Sequence, residues 1–218
     1  MKKVTLLDYS SRGKKMAYHL LRKNDHQTSC WSGGETTQVF LYPPTGKYEP
    51  GKFDYRISTA SVEVEESIFS ALPGYNRLLM SLNHPLELTH ESLSNTVTKK
   101  MKPFEVDAFD GADKTKSVGK CQDFNVIFKP TYVSEMSAVD SIKKRQLLPC
   151  IRYFYYLLTD GLMTYTDQEG EHVAKLEAGD CIMVEEGRTI SMISIESHQP
   201  HQSPAVVEVV VWKNEKSL

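Results

Sequence analysis

The 218-residue chain has no long hydrophobic run: no stretch approaches the roughly 20 apolar residues that a membrane helix needs. Near the N-terminus the apolar stretch is only Val4 to Leu7, too short for the core of a secretory leader, so the expected location is the cytoplasm. Cysteine is scarce and scattered. Cys30, Cys121, Cys150 and Cys181 include no C-x-x-C pair, which speaks for reduced, mostly buried thiols and against a disulfide frame or a zinc ribbon. A surplus of one charge is also missing: 26 Lys+Arg stand against 28 Asp+Glu, a net charge of -2. Nucleic acid and acidic membranes need a concentrated basic field, and the cluster Lys143-Lys144-Arg145 is too small to supply one. Nucleotide and hydrolase motifs are absent as well, with no G-x-S-x-G, no P-loop and no G-x-G-x-x-G. The carboxylate pairs Glu65-Glu66 and Glu185-Glu186 are chain neighbours, which on strands point to opposite faces and cannot share a proton. Catalysis therefore has no support in the sequence.

What is present is alternation with a period of two, divided by turn residues. Phe53, Tyr55 and Ile57 share one face of a strand while Asp54, Arg56 and Ser58 share the other. From Ala60 onward the phase changes to Ala60, Val62 and Val64, which predicts a bulge or corner. Further strands are expected around Leu78–Leu82, Leu86–Leu88, Phe104–Ala108, Phe124–Phe128, Ile151–Leu158, Leu162–Thr166 and Val206–Trp212. Helical spacing occurs only at Lys14 to Lys23, and the polar segment 131–149 reads as a linker with a helical turn or two. Charge divides at the same place: +3 over 1–130 and -5 over 131–218. Many short strands split by one linker predict an all-β protein of two small antiparallel barrels or jelly rolls, 1–130 and 150–218. A single sandwich with insertions is the competing architecture.

Leu176 to Val184, with its Gly179-Asp180 turn, resembles the local grammar of cupin barrels. Cupins often hold a divalent metal through histidines and a glutamate. The stretch Glu186 to Ser191, where such a histidine would fall, has none, and His84 and His90 are six residues apart. These histidines, with His198 and His201, read as ordinary polar or loop residues, so neither metal nor other cofactor is expected.

A sharper resemblance spans residues 31 to 129. Trp31-Ser32-Gly33-Gly34-Glu35-Thr36-Thr37-Gln38, Phe53-Asp54-Tyr55-Arg56-Ile57-Ser58-Thr59-Ala60, Ser67-Ile68-Phe69-Ser70-Ala71-Leu72-Pro73-Gly74-Tyr75-Asn76-Arg77 and Asp123-Phe124-Asn125-Val126 follow in order. Together they are similar to the HutD/Ves family pattern, with Ser32, Tyr55 and Asn76 departing from its Asn, Trp and Asp. The resemblance implies a compact bicupin (two cupin-like jelly-roll barrels with few short helices) linked, in the HutD branch, to histidine utilisation and its regulation.

On residue chemistry, Arg56 in a barrel mouth is a fork of donors for a carboxylate, and Ser58 adds a hydroxyl. Asn125 can read an amide or formyl group, and Asp123 can neutralise Arg56 when no ligand is present. A structural Arg56–Asp123 ion pair with no ligand is the plain alternative. Thr36 can donate to the same ligand. Trp31 reads as a core plug or a ligand contact, and Arg77 as a turn holder or a ligand contact. The aromatic run Tyr153 to Tyr156 reads as a strand buried on both faces. The expected function is metal-free binding of a small anionic metabolite in a sensing role, in a chain for which a homodimer is allowed. Two others compete: a cupin isomerase, epimerase or metal-dependent oxygenase, and an interaction module using the barrel–barrel groove or the Val206–Trp212 edge.

Overall fold

The structure is a computed structural model that describes residues 18–148, 151–167, 170–184, 192–199 and 204–215. The front part carries, after β1 (His19–Leu21) and a 3-10 turn at Lys23–Asp25, the strands β2 (Gln27–Trp31), β3 (Gly34–Tyr42), β4 (Tyr55–Val62), β5 (Glu66–Ile68), β6 (Asn76–Ser81) and β7 (Leu86–Glu91). It continues with β8 (Thr96–Met101), β9 (Val106–Asp110), β10 (Lys114–Val118) and β11 (Cys121–Phe128). The rear part carries β12 (Tyr132–Val139), β13 (Ile142–Gln146), β14 (Ile151–Leu157), β15 (Gly161–Asp167), β16 (Gly170–Leu176), β17 (Cys181–Val184), β18 (Met192–Ser197) and β19 (Val206–Lys213).

These strands form four sheets. β2-β3-β4-β11-β6-β9 faces β5-β10-β7-β8 across the cluster of Leu79, Leu86, Leu88 and Met101, which makes the first sandwich. β1-β17-β14-β19-β12 faces β13-β18-β15-β16 across Tyr155, Leu157, Met163, Ile193 and Ile195, which makes the second. The large sheets of the two sandwiches pack on each other through Tyr55, Ile57, Phe124, Val126, Phe154 and Val209. The result is the expected all-β pair of jelly rolls, with sheets facing one another and not closed by a continuous ladder.

Tyr55 and Ile57, on the outward face of β4, are covered by the second sandwich. Tyr153 to Tyr156 lies buried on both faces, as its unbroken aromatic run predicts. Three expectations are corrected. The segment 131–149 is not a linker, because β12 pairs with β19 over eight residues and β13 with β18. The basic cluster sits on β13, where Lys144 takes a positive φ at a register shift and Arg145 forms an ion pair with Glu208. Its polarity, read as solvated linker, is that of an outer strand. Residues 19–21 form a strand against β17 in place of a helix, while 14–17 lie outside the described residues. And β19 lies between β14 and β12, so Val206–Trp212 offers no free edge.

The phase change at Ala60 has a different cause from a bulge. β4 and β11 keep an unbroken register from Tyr55 to Val62, and the register shift falls in β3, between Gln38 and Phe40. Arg56, Ser58, Ala60 and Val62 all face inward. That face changes from polar to apolar along its length as it leaves the charged end and reaches the cluster of Val62 and Leu79. The N-terminal part of the second sandwich is secured by the Gly179-Asp180 turn. Asp180 is buried and accepts from Arg22 Nη1 at 2.7 Å, the Lys23 amide at 3.1 Å and the Glu177 amide at 2.9 Å. Gly179 itself has φ +91, a conformation that favours glycine.

Candidate functional site

The inward face of the first sandwich is built in rows across β3, β4, β11 and β6. One row runs Leu41, Arg56, Ile127, Arg77, the next Gln38, Ser58, Asn125, Leu79, and the third Thr36, Ala60, Asp123, Ser81. Arg56 and Arg77 are therefore two strands apart, roughly 9–10 Å at the backbone, with their side chains over the strand that carries Asn125 and Asp123. Arg56, Ser58, Arg77, Asp123 and Asn125 are all buried. Period-two alternation puts them on one face, and pairing of β4 and β6 to β11 brings them side by side.

Arg56 is held from three sides. Its Nε donates to Gln38 Oε1 at 3.1 Å, its Nη1 donates to Ser58 Oγ at 3.2 Å, and its guanidinium lies 4.0 Å from the ring centre of Tyr48. Arg77 is held mostly by aromatic faces, 4.9 Å from Phe69 and 5.3 Å from Phe109, with a long bond from Nη1 to the Ser70 carbonyl at 3.4 Å. Its Nε is buried without a hydrogen-bond partner among the described residues. So is Asn125 Oδ1. A spare donor and a spare acceptor thus belong to the same inward face.

Asp123 does not close an ion pair. No Lys, Arg or His nitrogen among the described residues lies within 4 Å of its carboxylate, so the expected Arg56–Asp123 bridge is absent. Burial dominates its titration and pushes it up to about 7, with Arg77 and then Arg56 pulling the other way. Burial also lowers both guanidinium groups. The cluster carries a charge of +1 with Asp123 ionised and +2 with it protonated.

The remaining sequence candidates fall outside this centre. Thr36 is half-buried in the row of Asp123, two rows from Arg56. Trp31 pairs with Gly34 on β2, three rows from Arg56 and so roughly 20 Å along the strand. At 40% exposure it is no core plug, and its ring lies over Gly33, where an added Cβ would stand 2.1 Å from it. Gln38, Tyr48, Phe69 and Phe109 join the site without having been expected there. Gln38 closes the Trp31–Gln38 stretch and Phe69 lies in the Ser67–Arg77 stretch, so both were within reach; Tyr48 sits in a loop with no periodic signal.

No group of three or more His, Cys, Asp or Glu converges among the described residues. His90 has both ring nitrogens engaged, Nδ1 with Thr115 at 2.9 Å and Nε2 with Asp107 at 2.8 Å, while His84 is exposed in a turn. These residues do not fit a metal centre. Glu186 to Ser191 and His201 lie outside the described residues, as does Cys150, and Cys30, Cys121 and Cys181 are free thiols.

Two jelly-roll sandwiches packed on each other define a cupin-type fold. The fold is shared with a manganese-containing oxalate decarboxylase of Bacillus subtilis, at TM-score 0.62 and 6% identity over 93% of this chain and 78% of that one. Within that class, residues 23–200 match the HutD family, and the chain belongs to it. A conserved protein of unknown function from Pseudomonas aeruginosa PAO1 aligns at TM-score 0.72 and 21% identity, covering 90% of this chain and 99% of that one. HutD from Pseudomonas fluorescens SBW25 aligns at TM-score 0.67 and 20% identity, covering 91% and 100%. Comparison with curated proteins gives no match. No helix among the described residues is long and apolar enough to cross a membrane.

Proposed function

We propose that the first sandwich binds a small anionic metabolite between Arg56 and Arg77, without a metal, in a sensing or modulating role. The observation that carries this reading is the pair of buried unsatisfied atoms, Arg77 Nε and Asn125 Oδ1, beside two guanidinium groups that no carboxylate among the described residues neutralises by contact. An unmade buried hydrogen bond costs about 1–3 kcal/mol, and an anion that also carries an N–H or O–H would recover both. Arg56 would hold the carboxylate with Ser58, Asn125 would take the donor, and Asp123 would tune the charge. Membership of the HutD family makes intermediates of histidine breakdown the first compounds to test, urocanate and N-formylglutamate among them, and a cytoplasmic location suits such a role. At one hundred times its dissociation constant the ligand should stabilise the protein by about 2.7 kcal/mol. Arg56→Ala should remove that thermal shift while the unliganded protein still folds. Equal stabilisation of wild type and variant by both compounds refutes the assignment.

A further inference from the structure

β2 (Gln27–Trp31) is an edge of the large sheet of the first sandwich, bonded to β3 alone, and all five of its residues are exposed. Its composition sets it apart. Among the described edge strands, β5, β8, β9, β12, β13 and β16 each carry at least one Lys, Arg, Asp or Glu. Such charges keep an open edge from pairing with another chain. β1 also lacks them but has only three residues. β2 reads Gln-Thr-Ser-Cys-Trp, with no charge, no proline and no break in its register with β3. Threonine and tryptophan favour strands, and Trp31 keeps much of its ring in solvent.

The direction of its backbone groups follows from the hairpin that joins it to β3. Gly33 turns its carbonyl towards β4, where it accepts from the Glu63 amide at 2.8 Å. The next residue, Gly34, therefore turns its own groups towards its partner Trp31. Alternation along the ladder makes Trp31, Ser29 and Gln27 the residues bonded to β3. The N–H and C=O of Thr28 and Cys30 then point away from the sheet, four groups set symmetrically about Ser29. An antiparallel strand of the same sequence, centred on Ser29, matches all four. Thr28 exchanges both bonds with Cys30 of the second copy, and Cys30 with its Thr28. The same two-fold sets Ser29 against Ser29 and Trp31 against Gln27 of the second copy, pairs with Cα atoms about 4.5 Å apart. A strand that pairs with its own copy brings like charges together, and β2 has none to repel.

We propose that β2 docks a second copy of this chain edge to edge, joining the two six-stranded sheets into one continuous sheet. The contact is small, so the dimer forms reversibly, in the manner of interfaces below about 1,200 Å². It does not depend on the anion centre. The test is sedimentation equilibrium in reducing buffer, which keeps the exposed Cys30 thiol from cross-linking chains. With rising concentration the wild-type mass should move from that of one chain towards that of two. Ser29→Asp and Ser29→Lys each set like charges across the two-fold and should weaken association several-fold, while an equimolar mixture of the two should recover it. Cys30→Pro removes an outward N–H and spares the bonds to β3, so it should weaken association as well. The proposal is overturned by a wild type that stays monomeric at every concentration, by Ser29→Asp or Ser29→Lys associating as wild type does, or by a mixture that associates no better than its components.

Discussion

Asp123→Asn should change the pH dependence of stability in a sense opposite to the usual one for a carboxylate. Most acidic side chains in folded proteins are stabilised in the charged form and lose stability as pH falls. Asp123 is buried with no cation of the described residues in contact, and its carboxyl is raised from an ordinary value of 3.8 to about 7. The folded state then holds a proton that the unfolded chain has released. Its contribution is full below about pH 4 and is lost progressively as pH rises from there through 7. At about 1.4 kcal/mol for each pH unit between those limits the loss comes to about 4 kcal/mol, of which about 3 kcal/mol falls between pH 5 and pH 8. His26 has the opposite slope over the lower part of this range: burial lowers its imidazole from the ordinary 6.5, so the stability it contributes is lost as pH falls below that value. The wild-type curve is therefore a sum of opposed contributions, and the informative quantity is the difference between wild type and variant.

Urea unfolding followed by circular dichroism at half-unit steps from pH 5 to pH 8 measures that difference. Asp123→Asn resembles the protonated side chain in shape and charge, so relative to wild type it should gain about 3 kcal/mol on going from pH 5 to pH 8. The same linkage acts on ligand. With Asp123 neutral, both guanidinium groups are free to face an anion, so affinity for the anion should rise as pH falls from 8 to 6 in wild type and stay level in the variant. A pH-independent difference between the two proteins, or an unchanged slope of affinity in Asp123→Asn, refutes the reasoning.

Two further changes test the frame around the site. Phe154 is fully buried where the sandwiches meet, with its ring 5.1 Å from Phe40 and 6.3 Å from Tyr55; Phe154→Ala should cost about 3–5 kcal/mol in urea unfolding, and a loss under 1 kcal/mol contradicts the packing. Asp180→Ala leaves the Arg22 guanidinium and two backbone amides without their acceptor, so a loss of about 3 kcal/mol is expected, together with faster tryptic cleavage at Arg22 and Lys23; an unchanged cleavage rate contradicts the anchoring role.

Much of this was legible in the residues, and the rest fails for identifiable reasons. Alternation at 53–58 and 123–128 gave the two faces of β4 and β11 correctly, because one face meets hydrocarbon and the other a polar interior. It misled at Ala60, where the inward face itself becomes apolar. The strands at 132–139 and 142–146 were hidden because both are edge strands with one side in water, so Ser134, Glu135, Ser137, Lys143 and Lys144 interrupt the pattern that packing would impose. The strand at 19–21 has only three residues, too few for any period to register. Tyr48 could not be assigned because its contact with Arg56 depends on how a 12-residue loop between β3 and β4 folds back, which no local rule specifies.

The two sandwiches repeat one architecture, yet their matching inward positions have opposite character. Where β4, β11 and β6 direct Arg56, Asn125, Asp123 and Arg77 inward, β14 and β17 direct Tyr153, Tyr155, Leu157, Ile182 and Val184. Burying charge is costly, and hydrocarbon at the first set of positions would give a more stable fold. The second sandwich demonstrates that this architecture accepts such a filling. Arg56 and Arg77 are therefore not required by the jelly roll, and the proposed role in holding an anion would account for charges in a place where they weaken the fold. On that reasoning Arg77→Leu, which supplies hydrocarbon beside Phe69 and Phe109, should leave the unliganded protein at least as stable as wild type while abolishing its stabilisation by the anion; a variant that loses stability and keeps the ligand response would show that Arg77 serves the fold instead.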